Sequence, residues 1–318
     1  PELSRGLGDV YKRQVLRGSS HKMYDVVILT DKRYEDPKSI NWYIQQVLTE
    51  DQLLLIELEK LGLRVIKKAW DSSDFNWSET KCAVFRSTWD YFDKFKDFKK
   101  WLDKVKEETS FINSYELINW NLDKKYLIEL NKKGINIPTT ELITKEDNVT
   151  LESLFNKYDF NEAIIKPTIS GAARETYRIS KNNFHEHENK FSELKSKEDL
   201  IFQEFLNNII SQGEISLIFI GNNYTHAVKK IAKKGDFRVQ DDHGGSVEVY
   251  NANNEEIIFA KSCLDKCPTL PIYSRVDIIY DNNNELSLGE IEMIEPELWF
   301  RNNKVAAKLL ADEINKLF

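Results

Sequence analysis

Long hydrophobic runs and a disulfide framework are both missing from this sequence. None of its apolar segments approaches the ~18 residues that a membrane-spanning helix requires, so we expect no transmembrane helix and no membrane partner. Only three of the 318 residues are cysteines, namely Cys82, Cys263 and Cys267, and this sparse, odd set favours a reducing, cytoplasmic compartment. Cys263 and Cys267 could share a helical face, but further zinc ligands are not nearby, so we interpret them as half-buried structural residues.

An excess of positive charge is also lacking. The formal net charge is −7 and the isoelectric point is about 5.5, which argues against nucleic acid as the main partner. Lysine-rich segments occur, but they alternate with acids as solvated helix faces do. The composition, with 41% hydrophobic and 31% charged residues, is typical of a soluble globular protein long enough for two or three packed units.

The glycine-rich phosphate motifs are absent as well. Neither G-x-x-x-x-G-K-[ST] nor G-x-G-x-x-G occurs. A short predicted strand, Ala163–Lys166, is instead followed by the small-residue segment PTISGAARETYR, and a second strand begins near Thr176. Small residues let backbone N–H groups approach an anionic ligand. Taken alone, the segment is more typical of a tight hairpin.

Residues 1–22 differ from the rest of the chain. They are basic and lack the apolar core of a secretory signal. The stretch GLGDVYKRQ resembles translated vector sequence, so we expect an artefactual or disordered leader and a natural start at Met23.

The following ninety residues predict a doubly wound α/β unit. The apolar run Tyr24–Thr30 is typical of a buried parallel strand, and a helix over Trp42–Leu61 leads to strands Leu63–Ala69 and Cys82–Phe85. Polar residues follow two of these strands, at the edge where such folds bind ligands. They are Asp31 and Arg33, and then Arg86, Ser87, Thr88, Trp89 and Asp90. Each alone is more typical of a helix cap or a loop ion pair; together they favour a small polar substrate, such as a carboxylate held by arginine.

A predicted hairpin near the end of the sequence carries an unusual set of acids. Its strands are Ile272–Tyr280 and Leu286–Ile294, joined by the turn Asp281–Glu285. If the turn is centred between Asn283 and Asn284, four charged side chains share one face of the sheet. These are Arg275, Asp277, Glu290 and Glu292.

Three carboxylates on one face repel each other unless a cation lies among them. Mg²⁺, bound by oxygen ligands, would meet this need. The alternative is a solvated face with ordinary surface acids. A register slip of one residue would also place Asp277 on the opposite face.

Further polar segments lie between these two regions. The predicted strand Leu200–Leu206 carries Gln203 and Glu204 near its end, and Glu214–Ile220 and Tyr224–Ala232 form a hairpin. The loop that follows offers Arg238, Gln240, His243, Gly244 and Gly245. His243 could be a ligand or an acid–base residue, although a surface role is commoner for a single histidine.

The order of these segments resembles the ATP-grasp superfamily of carboxylate–amine ligases. The segments that carry the resemblance are WNLDKKYL, IIKP, the small-residue loop, IFQEFL, FRVQ with HGG, and finally VD with EIE. More narrowly, the sequence is similar to the glutathione-synthetase-like and cycloserine-synthetase-like branch, from about Tyr24 onward. The resemblance implies an α/β architecture, α+β in the C-terminal half, with a doubly wound pre-ATP-grasp domain and two α+β subdomains that sandwich ATP.

The resemblance also implies roles for individual residues. Lys124 and Lys166 would contact the ATP phosphates, beneath a mobile loop formed by Ser170, Gly171 and Ala172. Adenine would be bound by Gln203, Glu204, Phe205 and Leu206, and ribose by Glu214. Mg²⁺ would be held by Asp277, Glu290 and Glu292. Arg275 would face an acyl-phosphate, and the acceptor side would be lined by Arg238, Gln240, His243, Gly244 and Gly245, with Arg86 and its neighbours.

Two positions depart from the family pattern. Glu292 stands where many members have asparagine, although three carboxylates are chemically sound ligands for Mg²⁺. Gly171 is the only glycine of the phosphate loop. The loop is therefore poorer in glycine than that of many members.

The implied activity is an ADP-forming, acid–amino-acid type of ligation through an acyl-phosphate, with a small amino-acid-like carboxylate and an amine as substrates. ATP and Mg²⁺ would be cofactors, with two ions expected and Mn²⁺ as a substitute. The alternatives are a ring-closing ligase, a silent ATP-binding regulatory module, and a purely structural α/β protein. A homodimer is possible. We expect a substrate domain over 23–113, a central subdomain over 114–195 and a C-terminal, metal-binding subdomain over 196–318.

Overall fold

The structure is a computed structural model that describes residues 23–171, 173–239 and 244–318. Four sequence-based predictions fall outside these described residues: the leader 1–22, Ala172, Gln240 and His243. Within the described ranges, no helix is long and apolar enough to cross a membrane.

The first sheet consists of four parallel strands: β1 (Tyr24–Thr30), β2 (Val65–Ala69), β3 (Thr80–Ser87) and β4 (Ser110–Ile112). Their order is β2-β1-β3-β4. Successive side chains of a strand point to opposite faces. In β1, Val26 and Ile28 therefore pack on one face, while Val27 and Leu29 pack on the other. Both faces are buried, as predicted for a doubly wound unit.

Ten helices are described along the chain. They are α1 (Lys32–Glu35), α2 (Trp42–Lys60), α3 (Phe95–Val105), α4 (Tyr115–Asn121), α5 (Tyr126–Lys132), α6 (Leu151–Lys157), α7 (Phe184–Lys197), α8 (Asn208–Gln212), α9 (Asn254–Asp265) and α10 (Lys304–Asn315). The α2 helix packs on one face of the first sheet through Leu54 and Leu58. The α3 helix packs on the other through Phe98 and Leu102.

Two antiparallel sheets follow. The second sheet has the order β5-β8-β6-β7, where β5 is Thr140–Ile143, β6 is Glu162–Pro167, β7 is Tyr177–Ser180 and β8 is Leu200–Glu204. The third has the order β11-β10-β9-β12-β13, where β9 is Glu214–Ile220, β10 is Asn223–Ile231, β11 is Ser246–Tyr250, β12 is Tyr273–Tyr280 and β13 is Leu286–Glu292. Helices α6 and α7 cover the second sheet, and α5 and α9 cover the third.

Several element boundaries differ from the sequence-based prediction. The sequence pattern of residues 112–121 predicts a loop or short strand, but the segment before Asn121 is helical, and Ser114 caps α4 by accepting from the Leu117 N–H. The third strand extends to Ser87, so Arg86 lies in a strand and not in the following loop. Cys263 lies in α9 and is buried in the apolar core that this helix forms with the third sheet. No disulfide is described for any of the three cysteines.

The predicted hairpin is present, and its register places the acids as expected. Asp277 pairs with Glu290, and Arg275 pairs with Glu292. The route to this register differs from the prediction, however. Tyr280 pairs with Leu286, so the turn is centred one half-residue earlier, and a bulge opposite Asp277 restores the pairing further along. Gly289, between Leu288 and Glu290, is the extra residue of the bulged strand β13.

The outer edge of β13 is paired with side chains from α4 and α5. Asn121 donates to the carbonyl of Ile291 (2.8 Å) and accepts from the N–H of Met293 (2.9 Å). The Tyr126 hydroxyl exchanges hydrogen bonds with the N–H and carbonyl of Ile291. A sheet edge left open exposes unpaired backbone groups. These side chains satisfy them and hold the hairpin in place.

The α10 helix returns to the N-terminal unit, where it packs against α2. Ala307, Leu310 and Ile314 of this helix lie in the same apolar core as Val26 and Leu58. The last described helix therefore completes the core of the N-terminal unit. The predicted domain boundaries stay a prediction, but this packing crosses them.

A buried asparagine joins the N-terminal unit to the hairpin. Asn113 is fully buried and donates to the carbonyls of Tyr273 and Met293 (both 2.9 Å). Its side-chain oxygen accepts from the N–H of Ile272 (2.5 Å). One side chain therefore pairs with the backbone of both hairpin strands and of the segment before them.

We expect Asn113→Ala to lower the free energy of unfolding by about 3 kcal/mol, because three buried backbone groups lose their partner. Chemical denaturation with circular dichroism measures this change. Asn251→Ala, at an exposed asparagine in a loop, is the control and should change stability by less than about 0.5 kcal/mol. Equal stabilities of the two variants would contradict the role given to Asn113.

Candidate active site

A cavity of about 290 Å³ lies between the second and third sheets and loops of the N-terminal unit. Its wall includes Trp89 from the N-terminal unit, Lys166 from β6 and Glu290 from β13. The volume is near the lower end of the ~300–1,000 Å³ that is usual for small-molecule pockets. The cavity therefore gathers side chains from all parts of the described chain around one small site.

Three carboxylates meet in this cavity. Asp277, Glu290 and Glu292 each offer an oxygen, and these oxygens lie within 4.8 Å of one another. Asp277 is buried, whereas the two glutamates are half-buried and face the cavity. Such a cluster of oxygen ligands is the donor set that Mg²⁺ prefers. The three residues, called the carboxylate triad below, therefore fit a magnesium ion.

Arg275 pairs with two members of the carboxylate triad. Its Nε and Nη2 donate to the two oxygens of Asp277 (2.9 and 2.8 Å), and Nη2 also donates to Glu292. Burial disfavours the charged guanidinium, but Asp277 and Glu292 outweigh it and raise the pKa of Arg275 well above its usual range. The arginine remains charged at the cavity wall.

A buried lysine, Lys230, further balances the charge of Asp277. Its ammonium lies 3.3 Å from an Asp277 oxygen and also forms an ion pair with Glu214. Although burial would raise the pKa of Asp277, Arg275 and Lys230 outweigh it and hold that pKa well below its usual range. The Ser216 hydroxyl donates a further hydrogen bond. Asp277 is therefore ionised.

Two lysines line the cavity on the side of the second sheet. Lys124 forms a close ion pair with Glu290. Burial opposes the charge on Lys124, but Glu290 overcomes it and raises the pKa of this lysine. Lys166 has no ion pair among the described residues. Loss of solvation, with repulsion from Lys124, lowers the pKa of Lys166 to about 8.

Two glutamates of the cavity, Glu292 and Glu295, have pKa values above the usual range of a carboxyl group. Burial, opposed by Arg275, raises the pKa of Glu292 to about 7, and Glu290 adds to this rise. Burial and the neighbouring Glu292 raise the pKa of Glu295 to about 8, although a hydrogen bond with Tyr91 acts in the opposite direction. The cavity therefore holds more carboxyl groups than its own cations neutralise.

The predicted adenine-binding residues lie together at one end of the cavity. All four, Gln203, Glu204, Phe205 and Leu206, are in its wall. The strand β8 ends at Glu204, so Phe205 and Leu206 belong to the connection to α8 and not to the strand. Arg178 stacks 4.0 Å from the Phe205 ring centroid, and Phe237 packs edge-on against the same ring. This end offers apolar and aromatic surface.

The predicted phosphate loop lines the cavity through Ser170 and Gly171. The Ser170 hydroxyl donates to the carbonyl of Arg174 (2.9 Å). A Cβ at Gly171 would lie 2.6 Å from the Phe92 ring. A side chain at this position would therefore require the Phe92 ring of the N-terminal unit to move.

Other predicted site residues are only partly brought together. Arg238 and Trp89 line the cavity. The described residues that line the cavity do not include eight of the predicted site residues: Asp31, Arg33, Arg86, Ser87, Thr88, Asp90, Gly244 and Gly245. Some have structural contacts: Asp31 caps α1 and pairs with Arg33, and Arg86 donates to the carbonyl of Pro296. Their assignment to substrate stays a prediction.

The structure adds residues that the sequence reasoning missed. Lys230 lies directly across the β9–β10 pair from Glu214, so pairing the predicted strands about their turn could have identified it. Glu295 and Tyr91 carried no comparable signal. Glu295 follows the end of β13, and Tyr91 comes from a loop of another unit.

Comparison with known proteins identifies the fold family. A model of the RimK-like ATP-grasp domain matches residues 123–295, just over half of the sequence. The chain belongs to the RimK-like ATP-grasp family. A second model, of the N-terminal domain of the D-cycloserine synthetase DcsG, matches residues 26–113.

Individual relatives agree with this membership. The cycloserine biosynthesis protein DcsG of Streptomyces lavendulae is 25% identical over 260 residues, covering 77% of this chain and 86% of that protein. The crystal structure of D-cycloserine synthetase DcsG has a TM-score of 0.81 at 21% identity, covering 92% of this chain and 99% of that chain. D-alanine–D-alanine ligase from Bacillus anthracis has a TM-score of 0.60 at 12% identity, covering 92% and 96%.

Membership of this ATP-grasp family confirms the predicted fold and the predicted class of activity, ATP-dependent carboxylate–amine ligation. Mg²⁺ binding is typical of the fold, and the ATP-grasp ligase PsnB is known in complex with Mg and ADP. The family therefore agrees with the oxygen ligands that the carboxylate triad offers.

We expect the affinity for ATP to fall as the pH rises through 8, because Lys166 loses its positive charge near its pKa of about 8. The fall should approach ~tenfold per pH unit above that value if one proton is linked to binding. Isothermal titration with ATP from pH 7 to 9 at constant ionic strength measures it. Lys166→Arg, whose guanidinium stays charged, should remove most of this dependence. A flat profile for the unaltered protein would contradict the prediction.

Proposed function

We propose that this protein is an ADP-forming ligase that joins the carboxyl group of a small amino-acid-like substrate to an amine. The observation that supports this most directly is the charge arrangement of the cavity. The carboxylate triad shares with Lys124, Lys166 and Arg275 a space bounded by the second and third sheets and by loops of the N-terminal unit. This arrangement of charges suits the binding of a nucleoside triphosphate together with a metal ion.

The proposed chemistry begins at the substrate carboxylate, which cannot expel oxide and so must be activated. Its oxygen attacks the γ-phosphorus of ATP, which forms an acyl-phosphate and releases ADP. The amine then attacks the acyl carbon, which forms the amide and releases phosphate. Phosphoryl transfer mainly requires positioning and charge neutralisation. We assign Lys124 and Lys166 to the phosphates and Arg275 to the transferred group.

The carboxylate triad would hold Mg²⁺, in one or two ions, and the bound metal would neutralise charge on the phosphate oxygens. The protein's own residues prepare this site. Lys124 holds Glu290, while Arg275 and Lys230 keep Asp277 ionised. Asp277 and Glu290 therefore stay in place and charged before a ligand arrives.

Water must be kept from an acyl-phosphate, since water would hydrolyse it. The contact of Phe92 with the backbone at Gly171 closes one side of the cavity. Aromatic side chains of the N-terminal unit, including Trp89 and Tyr91, add apolar wall nearby. This enclosure also strengthens the electrostatic interactions within the site.

The substrate class is suggested by the wall opposite the lysines. There Glu295 and Glu297 line the cavity beside Trp89, Tyr91 and Tyr43. An ammonium group would favour ionisation of Glu295, whose pKa is raised in its absence, and it would also be attracted by the aromatic faces. A small amino acid, with its carboxyl group toward Arg275, fits this combination of charges.

A second candidate function is ring closure, in which the amine belongs to the activated molecule itself. It is favoured by the similarity to D-cycloserine synthetase DcsG, with a TM-score of 0.81 over nearly the whole of that chain. A linear amide formed from two separate substrates would exclude ring closure as the sole activity.

The first test is an arrayed screen of amino acids, alone and in pairs with amines, with phosphate release as the readout. We expect stoichiometric ADP and phosphate for a productive substrate set, and mass spectrometry then distinguishes linear from cyclic product. Binding of ATP without ADP release across the whole screen would favour the regulatory module instead.

The second test concerns the carboxylate triad. Glu290→Gln should lower kcat by ~10²–10³-fold, because the site loses one charge that it needs at the transition state. The matched control is Glu285→Gln, at an exposed position of the same hairpin, which should leave kcat unchanged. Turnover like that of the unaltered protein by Glu290→Gln would refute the metal assignment.

A further inference from the structure

The backbone of Trp299 is held in an unfavourable conformation. Its φ is 47°, in the left-handed region that a bulky side chain rarely adopts. The indole is almost completely buried, and its N–H has no acceptor within the described part of the chain. Hydrogen bonding of the side chain therefore does not explain why the strain is tolerated. The explanation lies in the contacts of the neighbouring backbone and of the ring.

The backbone around Trp299 is fixed from two other elements. Glu50 of α2 is buried and accepts from the N–H groups of Phe300 (2.7 Å) and Arg301 (3.1 Å). On the other side, the His226 ring lies 2.9 Å from the Leu298 carbonyl in a hydrogen bond. Strained backbone persists where its surroundings over-determine it. These contacts orient the indole ring.

The face of that ring lies against Arg275. The guanidinium carbon is 5.3 Å from the ring centroid, which is within the ~6 Å range of a cation–π interaction. The other partners of this guanidinium are Asp277 and Glu292, together with the more distant carbonyl of Glu297 (3.5 Å). Trp299 is thus the one partner in this group that offers no oxygen.

This difference matters once a metal is bound. Asp277 and Glu292 belong to the carboxylate triad, so their oxygens are shared between Arg275 and the ion. A hard cation binds oxygen ligands and does not compete for an aromatic face. Arg275 can therefore keep its contact with Trp299 whether or not the carboxylates bind a metal ion.

We propose that Trp299 is a positioning residue that holds the Arg275 guanidinium at the cavity wall independently of the carboxylate triad. Its strained backbone is the means by which the indole face is presented to the arginine. The effect on turnover rests on the proposed function, because Arg275 acts there on the transferred group. The contact itself does not depend on that function.

Two substitutions of similar volume test the effect on turnover. Trp299→Phe keeps an aromatic face and Trp299→Met does not, while both lose the indole N–H. We expect Trp299→Met to lower kcat at least ~10-fold with the KM for ATP changed less than ~2-fold, because the loss falls on the transition state. Trp299→Phe should recover most of kcat. Equal kcat values for the two folded variants would overturn the proposal.

A second measurement needs no turnover. The ring current of Trp299 should place the Nε–H resonance of Arg275 upfield of its position in Trp299→Met, with and without saturating MgCl₂ and ADP. The comparison is made with this variant because the hydrogen bond to Asp277 by itself shifts the same proton downfield. Absence of the signal in Arg275→Lys identifies it, and if that variant does not fold, sequential resonance assignment does so. Equal positions of the resonance in the two proteins, in either condition, would overturn the proposal, even if the protein proves to be a ligase.

Discussion

The site depends on the neutralisation of carboxylates that would otherwise repel each other. Asp277, Glu290 and Glu292 lie close enough to share one ion, and each is also near a cation of the protein. An uncompensated buried charge is strongly unfavourable, so these pairs constrain the sheet as well as the chemistry. Lys124, which lines the cavity on the side of the second sheet, pairs with Glu290 of the hairpin. Arg275 pairs with the other two acids, Asp277 and Glu292. The relative position of the structural units is therefore tied to the charge balance of the cavity.

Much of the fold could be predicted from hydrophobic pattern alone. The apolar run of β1, with its alternate residues buried on two faces, indicated a parallel sheet covered on both sides, and this was confirmed. The hairpin register was also right, but for a reason the sequence did not reveal. The turn is displaced by half a residue, and the bulge at Gly289 compensates. The displaced turn and the bulge shift the register in opposite directions, so the acids remain on one face. A single glycine within a strand, as at Gly289, is the sequence signal of such a bulge.

The limits of prediction follow from distance along the chain. Lys230 could have been found because strand pairing places it opposite Glu214. Glu295 and Tyr91 could not, because the contact between them depends on how a loop of the N-terminal unit meets the end of β13. The same reason applies to Asp31 and Arg86. Polar residues at strand ends can satisfy caps and carbonyls locally, and only the tertiary arrangement decides which of them reach the cavity.

The packing of α10 against α2 has a consequence for the order of folding during synthesis. The apolar core that Val26 and Ile28 share with α2 is completed by a helix that begins only at Lys304. A ribosome therefore exposes an N-terminal unit whose core stays partly open while most of the remaining chain is made. Such a surface is prone to aggregation and suits transient binding by a chaperone. The N-terminal unit thus becomes stable late, although it is synthesised first.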